Sequence, residues 1–477
     1  MMKPGWQILS GIPRYALAVT AAMTCLTGCA LEDVNRPVQT VPAAFPGSGA
    51  ERTALLSWWR AFGSRELNTL MEQAAVANLD VRAALARIER AEAQARVVGA
   101  QRFPFVVASI DGSRSQTSGT TGSSINPPSR SNFVSGTLAA SFELDIWSRN
   151  RDQLNAALAE ETASRFDRDA ILLSTQGAVV NAWLQLGAAR DRLAIAQRNL
   201  ANAERIRAAV QQRTVLGAST ALELAQQDSL VASQRAALPP LRQSAETSVH
   251  NLAFLVGQAP QSAWVGQPTL GALRTPAVRP GLPSALLQRR PDIRLAEARL
   301  EAAEANVSAA RKAMLPTISL TAAGGYQSSA LVNLVRPESL VWSLGAGLVQ
   351  TVFDAGRLQA LSDVAVAERK ELLEAYRRAI VASLLDTANA LTAVRESEAR
   401  EAAQRTVITK TREAFRIAEQ RLKEGAIDLQ TLLSTQAALF QAEDILVQDR
   451  LARLQAAVSL IIALGGDVSC AGGAVPC

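Results

Sequence analysis

Three short stretches of this chain alternate apolar and small polar residues with a period of two. Val134, Gly136, Leu138, Ala140, Phe142 and Leu144 alternate with Ser135, Thr137, Ala139, Ser141 and Glu143. Ile318, Leu320, Ala322 and Tyr326 alternate with Thr317, Ser319 and Thr321, and Leu340, Trp342, Leu344, Ala346 and Leu348 with Ser343, Gly345 and Gly347. Side chains alternate across a strand, so each stretch has one apolar and one polar face. The predicted strands are about 105–115, 133–145, 317–327 and 340–351. Elsewhere the apolar positions follow helical spacing. Leu172, Val179, Leu186, Leu193 and Leu200 recur every seven residues, as do Leu433, Phe440, Val447, Leu454 and Ile461. Ile380, Leu384, Thr387, Leu391 and Val394 alternate steps of four and three. Sustained heptads predict coiled-coil packing. About 65 unbroken residues at 1.5 Å each make rods of roughly 100 Å, suited to a conduit rather than a globular core.

The pattern occurs twice. Asp80 recurs as Asp292, Phe103-Pro104 as Leu315-Pro316, Leu216-Gly217 as Glu424-Gly425 and Val256-Gly257 as Leu464-Gly465, each about 210 residues on. The predicted fold is mainly α with a pair of transmembrane β-hairpins, in two repeats of helix, strand, strand, long helix, long helix. The first repeat spans 58–257, with a long helical hairpin over about 149–256. An irregular, Pro-rich linker covers 258–283. The second repeat spans 284–466, with its hairpin over about 357–465. A single helix is expected from near Ser64 to about Arg102, and Pro239-Pro240 should kink the first return helix. Gly324-Gly325 within a strand reads as close backbone approach or tilt. Strands of this length cross a bilayer when tilted, although a soluble sandwich would alternate in the same way. Four strands cannot close a sheet alone, which points to an oligomeric barrel.

Composition bounds the rest. The chain is 4% aromatic and 48% hydrophobic, which suits packed helices. Its formal charge of +6 is interspersed, as on a solvated helical surface, and gives no sign of nucleic-acid binding. Residues 1–28 read as a signal peptide: Lys3 and Arg14 precede an apolar run that ends Leu26-Thr27-Gly28-Cys29. That ending resembles a lipobox, with Cys29 as the acylated mature N-terminus. Such a cysteine carries a diacylglycerol thioether and an N-acyl chain, and Ala30 resembles the outer-membrane sorting pattern. An ordinary signal peptide that happens to contain a cysteine is the alternative. Residues 29–57 read as a lipidated tether and 467–477 as a flexible tail, where Cys470 and Cys477 are either a disulfide or two free thiols.

Several motifs carry a family resemblance. Trp58-Trp59-Arg60-Ala61-Phe62 with Leu67 resembles the opening of TolC-type outer-membrane efflux proteins. Leu286-Leu287-Gln288-Arg289-Arg290-Pro291-Asp292-Ile293-Arg294 with Ala296-Glu297 resembles that family's most specific motif. Phe142-Glu143-Leu144-Asp145-Ile146-Trp147 and Val352-Phe353-Asp354-Ala355-Gly356-Arg357 resemble its junctions between strand and long helix. With the lipobox, the chain is most similar to the lipoprotein (NodT-like) branch that works with RND pumps. The resemblance implies a homotrimer with a twelve-stranded outer-membrane barrel over a tapering α-helical periplasmic barrel. It also implies a periplasmic adaptor and an inner-membrane RND transporter that supplies the energy. The function implied is a passive exit duct for small molecules such as drugs. A duct for type I, ABC-driven protein or peptide secretion would share the architecture.

One motif departs from the family. Relatives carry an Asp just past the second helical tip, near the closed aperture; here Leu432-Leu433-Ser434-Thr435-Gln436 places Ser434 there. The gate candidates are therefore Ser434, Thr431, Asp428 and Arg421, with a gate held less by charge and weaker cation selectivity. Ser434 as a simple packing residue is the alternative. The tips, where an adaptor would be met, are Gly217 with Ala218 and Gly425 with Ala426, and Ser219 or Asp428 could cap the returning helices. No enzyme is indicated. His250 lacks partners at ligand spacing and reads as a helix-packing residue, and no phosphate-binding glycine loop is present. A periplasmic scaffold lipoprotein would not need four alternating strands.

Overall fold

The computed structural model describes residues 57–118, 130–260, 266, 268–276, 278, 286–287 and 289–466. The signal peptide, Cys29, the tether, the tail with Cys470 and Cys477, and parts of the 116–131 loop and the 258–283 linker lie outside the described residues.

A 3-10 turn at Trp58–Phe62 leads into α1 (Arg65–Ala77) and α2 (Leu79–Ala100). Then come β1 (Phe105–Gln116), β2 (Arg130–Leu144), the long α3 (Arg149–Val215), α4 (Ala221–Ala236) and α5 (Leu238–Leu255). The second half runs α6 (Pro291–Lys312), β3 (Thr317–Ser328), β4 (Leu340–Val349), the long α7 (Arg357–Lys423) and α8 (Leu429–Ala463). Each long helix has 67 residues and is therefore roughly 100 Å long. No helix among the described residues is long and apolar enough to cross a membrane.

The helix expected from Ser64 to Arg102 is two. Asn78 adopts an extended conformation between α1 and α2, and its side chain accepts from the N–H groups of Asp80 and Val81. Its Nδ2 donates to the Leu255 carbonyl at 2.8 Å. A capping amide with a long-range partner thus outcompetes continuation of a helix that local propensity allows. The first return helix breaks at Ala237, and Pro239-Pro240 falls in the first turn of α5, where a missing N–H costs nothing.

The four strands form one antiparallel sheet in the order β1-β2-β3-β4. Its register aligns the two faces across all four strands. Ala108, Leu138, Gly324 and Trp342 lie in one row, and Ala140, Ala322 and Leu344 in another. On the opposite face Ser109, Thr137, Gly325 and Val341 share a row, as do Ser141, Thr321 and Gly345. Strand side chains have a period of two, so a slip of one residue would have mixed the faces. Gly325 allows close approach: a Cβ there would sit 2.2 Å from the Gly136 carbonyl oxygen.

The main core lies midway along the helices. Trp58, Phe62, Leu67 and Met71 pack with Val179, Trp183, Leu186, Leu252, Leu454 and Ile461. Trp58 stacks edge-on to both Trp59 and Phe62. The heptad positions of α3, α7 and α8 are buried or half-buried in the packing. The tips have a second, smaller core of Ile206, Val210, Ala418, Leu429 and Leu432.

Candidate gate and docking tips

The long helices are anchored to the sheet by two aspartates. Asp145 accepts from the N–H groups of Asn150 and Arg151 at 3.1 and 2.9 Å, and Asp354 from those of Gly356 and Leu358 at 3.0 and 2.9 Å. Each carboxylate satisfies otherwise unpaired N–H groups at the positive end of a 67-residue helix. The strand-to-helix motifs therefore have a physical role: they fix where the sheet ends and the rods begin.

The rods are clamped at mid-height by the Arg-Arg-Pro-Asp motif. Arg290 makes a two-nitrogen bond to Asp292, a third bond to Asp386 on α7, and a fourth to the Ala463 carbonyl at the end of α8. Burial pulls this guanidinium down, but the two carboxylates outweigh it and hold it above the usual arginine range. Arg294 lies over the Phe166 ring at 4.1 Å. Apart from Asp292, two residues on, these partners are nearly 100 residues or more away in sequence, so nothing local announced them.

At the far end both hairpins turn in the same way. Gly217 has φ +70° and Gly425 φ +71°. In the first, the Gly217 and Ala218 N–H groups donate to the Thr214 and Arg213 carbonyls; in the second, those of Gly425 and Ala426 donate to Leu422 and Arg421. This closes the last helical carbonyls with a left-handed glycine. Thr220, not Ser219, caps the first return helix. It forms a capping box with Glu223, while Ser219 donates its hydroxyl to the same Glu223 carboxylate at 2.6 Å. Those bonds, from Ser219 first and then from the Thr220 backbone, hold Glu223 below the usual carboxylate range. Asp428 caps the second return helix by accepting from the Thr431 N–H at 2.9 Å.

The two tips differ in chemistry. The first exposes Val215 (82%), Leu216 (81%) and Leu222 (67%), whereas the second exposes Arg421, Lys423, Glu424 and Asp428. Periodicity did not mark this apolar knob, because its residues fall outside the heptad that runs from Leu172 to Leu200.

Asp428, Thr431 and Ser434 lie at the start of α8, whereas Arg421 is in the last turn of α7. Ser434 is exposed, and its hydroxyl donates to the Thr431 carbonyl at 2.9 Å, one turn back. Asp428 is engaged with Thr431, whose side-chain and backbone hydrogen bonds hold its carboxyl below the usual range. Arg421 has no ion-pair partner among the described residues. His250 is exposed on α5 rather than packed, because that helix buries Leu238, Ser248, Leu252 and Ala253 instead. Among the described residues, no three His, Cys, Asp or Glu side chains come together to hold a metal.

Comparison with known proteins agrees with this geometry. The family model described as "Outer membrane efflux protein" matches residues 70–258 and 282–466, one segment for each repeat. The pyoverdine export outer membrane protein OpmQ of Pseudomonas putida is 40% identical over 462 residues, covering 95% of this chain and 98% of that protein. OpmQ of Pseudomonas aeruginosa is 39% identical over 423 residues, covering 87% and 88%. Among solved structures, the outer-membrane channel OprN superposes with a TM-score of 0.86 at 28% identity, over 91% of this chain and 98% of that one. Two matched repeats, a sheet with one apolar face and paired rods of matching length lead to one conclusion: the chain belongs to the outer membrane efflux protein family and is an outer-membrane efflux channel.

Proposed function

We propose that this protein is the passive exit duct of a tripartite export system in a Gram-negative bacterium. Three copies close their sheets into a twelve-stranded barrel, and their rods form the tunnel across the periplasm. Closure satisfies the free edges of β1 and β4, which lipid could not do. The observation that carries this reading is the register: one sheet, apolar on one face from Ala108, Ala140 and Leu344 up to Ile110 and Val134, and mainly small and polar on the other. The apolar face meets lipid and the polar face lines the pore. Cys29 carries the lipid that anchors the mature N-terminus.

The helical tips meet a periplasmic adaptor, which couples the duct to an inner-membrane pump of the RND type. The apolar first tip provides the hydrophobic part of that contact, and the charged second tip surrounds the gate. With no enzyme chemistry assigned to the duct, the pump supplies the energy and selects the cargo. That cargo is a small molecule, and similarity to the two OpmQ proteins favours compounds of the pyoverdine kind alongside drugs. An ABC-driven pump is the second reading, because the duct would be the same.

The test is reconstitution. The purified protein should run as a heat-sensitive oligomer and form long-lived conducting channels in planar bilayers. A monomer that fails to insert, prepared from correctly folded outer membrane, would overturn the proposal.

A further inference from the structure

We propose that Asp111 sets the ionic preference of the barrel, favouring cations over anions in the exit. This rests on the reading of the polar sheet face as the pore wall. The register fixes which side chains share that face. On it, among the described strand residues, only Asp111 and Glu143 bear charge, and no Lys or Arg does. The two carboxylates are not equivalent. Both Glu143 oxygens accept from Arg149 Nη2, at 2.8 and 2.9 Å, so that charge is compensated where the barrel joins the rods.

Asp111 has no such partner. Its neighbours along β1 on the same face are Ser109 and Ser113, and across the sheet it is aligned with Ser135 and then Gln327. The two arginines of this hairpin lie on the other face. Arg114 is opposite Asn132, and Arg130 is opposite Gln116, to which it donates at 2.9 Å. Asp111 therefore makes no ion pair among the described residues. Asp111 is exposed, with serines at its nearest positions on this face. It lies six residues above Phe105, about 20 Å along the strand, well inside the span of an outer-membrane barrel.

An uncompensated carboxylate on the wall of a water-filled passage raises the local cation concentration and lowers that of anions. Three-fold closure places three such charges at one height. At the second tip Ser434 is neutral, Asp428 accepts from a helix N-terminus, and Arg421 and Lys423 are exposed beside it, so the carboxylates there are not left unopposed as Asp111 is.

The experiment is the reversal potential of the purified full-length channel across a KCl gradient. The wild type should prefer potassium. Asp111→Asn should lower the potassium-to-chloride permeability ratio about fivefold, since three unit charges shift both ions in opposite directions. Adding Gln327→Asp to that variant, in the same row, should restore the ratio. Gln327→Lys alone should lower it without touching Asp111, which decides the matter if Asp111→Asn does not assemble. A conducting Asp111→Asn channel with an unchanged ratio overturns the proposal. A wild type that forms no channel at all overturns the duct reading itself, a different and recognisable failure.

Discussion

Glu401 offers the most direct test of how the rods are held together. It lies on α7, only 1% exposed, and faces α8. Its Oε1 accepts from Arg405 at 2.7 Å, and its Oε2 from Arg453 at 3.0 Å. Arg450 approaches both oxygens at 3.4 and 3.5 Å, and also donates to the Leu273 carbonyl at 2.6 Å and to Thr275 at 3.2 Å. One carboxylate thus joins both rods and, through Arg450, the segment between the repeats. Burial alone would raise this carboxyl, but the three guanidinium groups outweigh it and leave it below the usual glutamate range. A depressed folded-state value means the stabilisation is full above the unfolded value, about 4.3, and is lost as pH falls through the lower folded value.

Removing one partner of a buried ion pair costs about 3–5 kcal/mol, because the remaining charge is left uncompensated. Glu401→Gln keeps one acceptor oxygen while leaving Arg450 and Arg453 unbalanced, so about 3 kcal/mol is expected. At about 2 °C per kcal/mol for a chain longer than an ordinary domain, the apparent melting temperature should fall by about 6 °C. The assay is loss of helical circular dichroism on heating in detergent, at matched scan rates, at pH 7 and again near pH 3.5. The difference between wild type and variant should shrink at the lower pH, because below the unfolded value the unfolded chain takes up the proton that folded Glu401 resists. A variant within 1 °C of wild type at pH 7, or a difference independent of pH, would refute the reasoning.

Other predictions follow from single positions. Gly325→Ala should sharply reduce the assembled, heat-sensitive form on gels, because its Cβ would lie 2.2 Å from the Gly136 oxygen. Gly324→Ala should be tolerated, its nearest neighbour being 4.0 Å away. Ser434→Ala should leave single-channel ion selectivity unchanged, whereas Ser434→Asp should increase cation preference. Strong selectivity abolished by Ser434→Ala would contradict the weakly charged gate. Cys29→Ser should abolish incorporation of labelled palmitate, read by autoradiography, and continued labelling would exclude Cys29 as the lipid site.

The fold was legible where its determinants are local and periodic. Alternation in 134–144, 317–326 and 340–348 announced the strands, and heptads such as Leu172 to Leu200 announced the rods. The tight glycine turns were readable because positive φ has few other solutions. What escaped depends on distant partners. Asn78 splits a helix because its amide meets Leu255, and Arg290 acts through Asp386 and Ala463. The cap moved from Ser219 to Thr220 because Glu223 draws in both residues, a choice between neighbours that composition alone leaves open. The apolar knob of the first tip was hidden because three residues around a turn have no period of their own. Asp111 was hidden for another reason: its face is defined only once the register relates it to Ser135 and Gln327.

The most direct test of the duct is photo-crosslinking in living cells from Ala218 and Ala426, one at each exposed tip, with mass spectrometry of the captured protein. The account predicts capture of a periplasmic adaptor whose inner-membrane partner is an RND pump; an adaptor paired with an ABC pump would reassign the driving machine. Absence of any adaptor at both tips, with the protein assembled in the outer membrane, would contradict the docking of these helices and with it the export assembly.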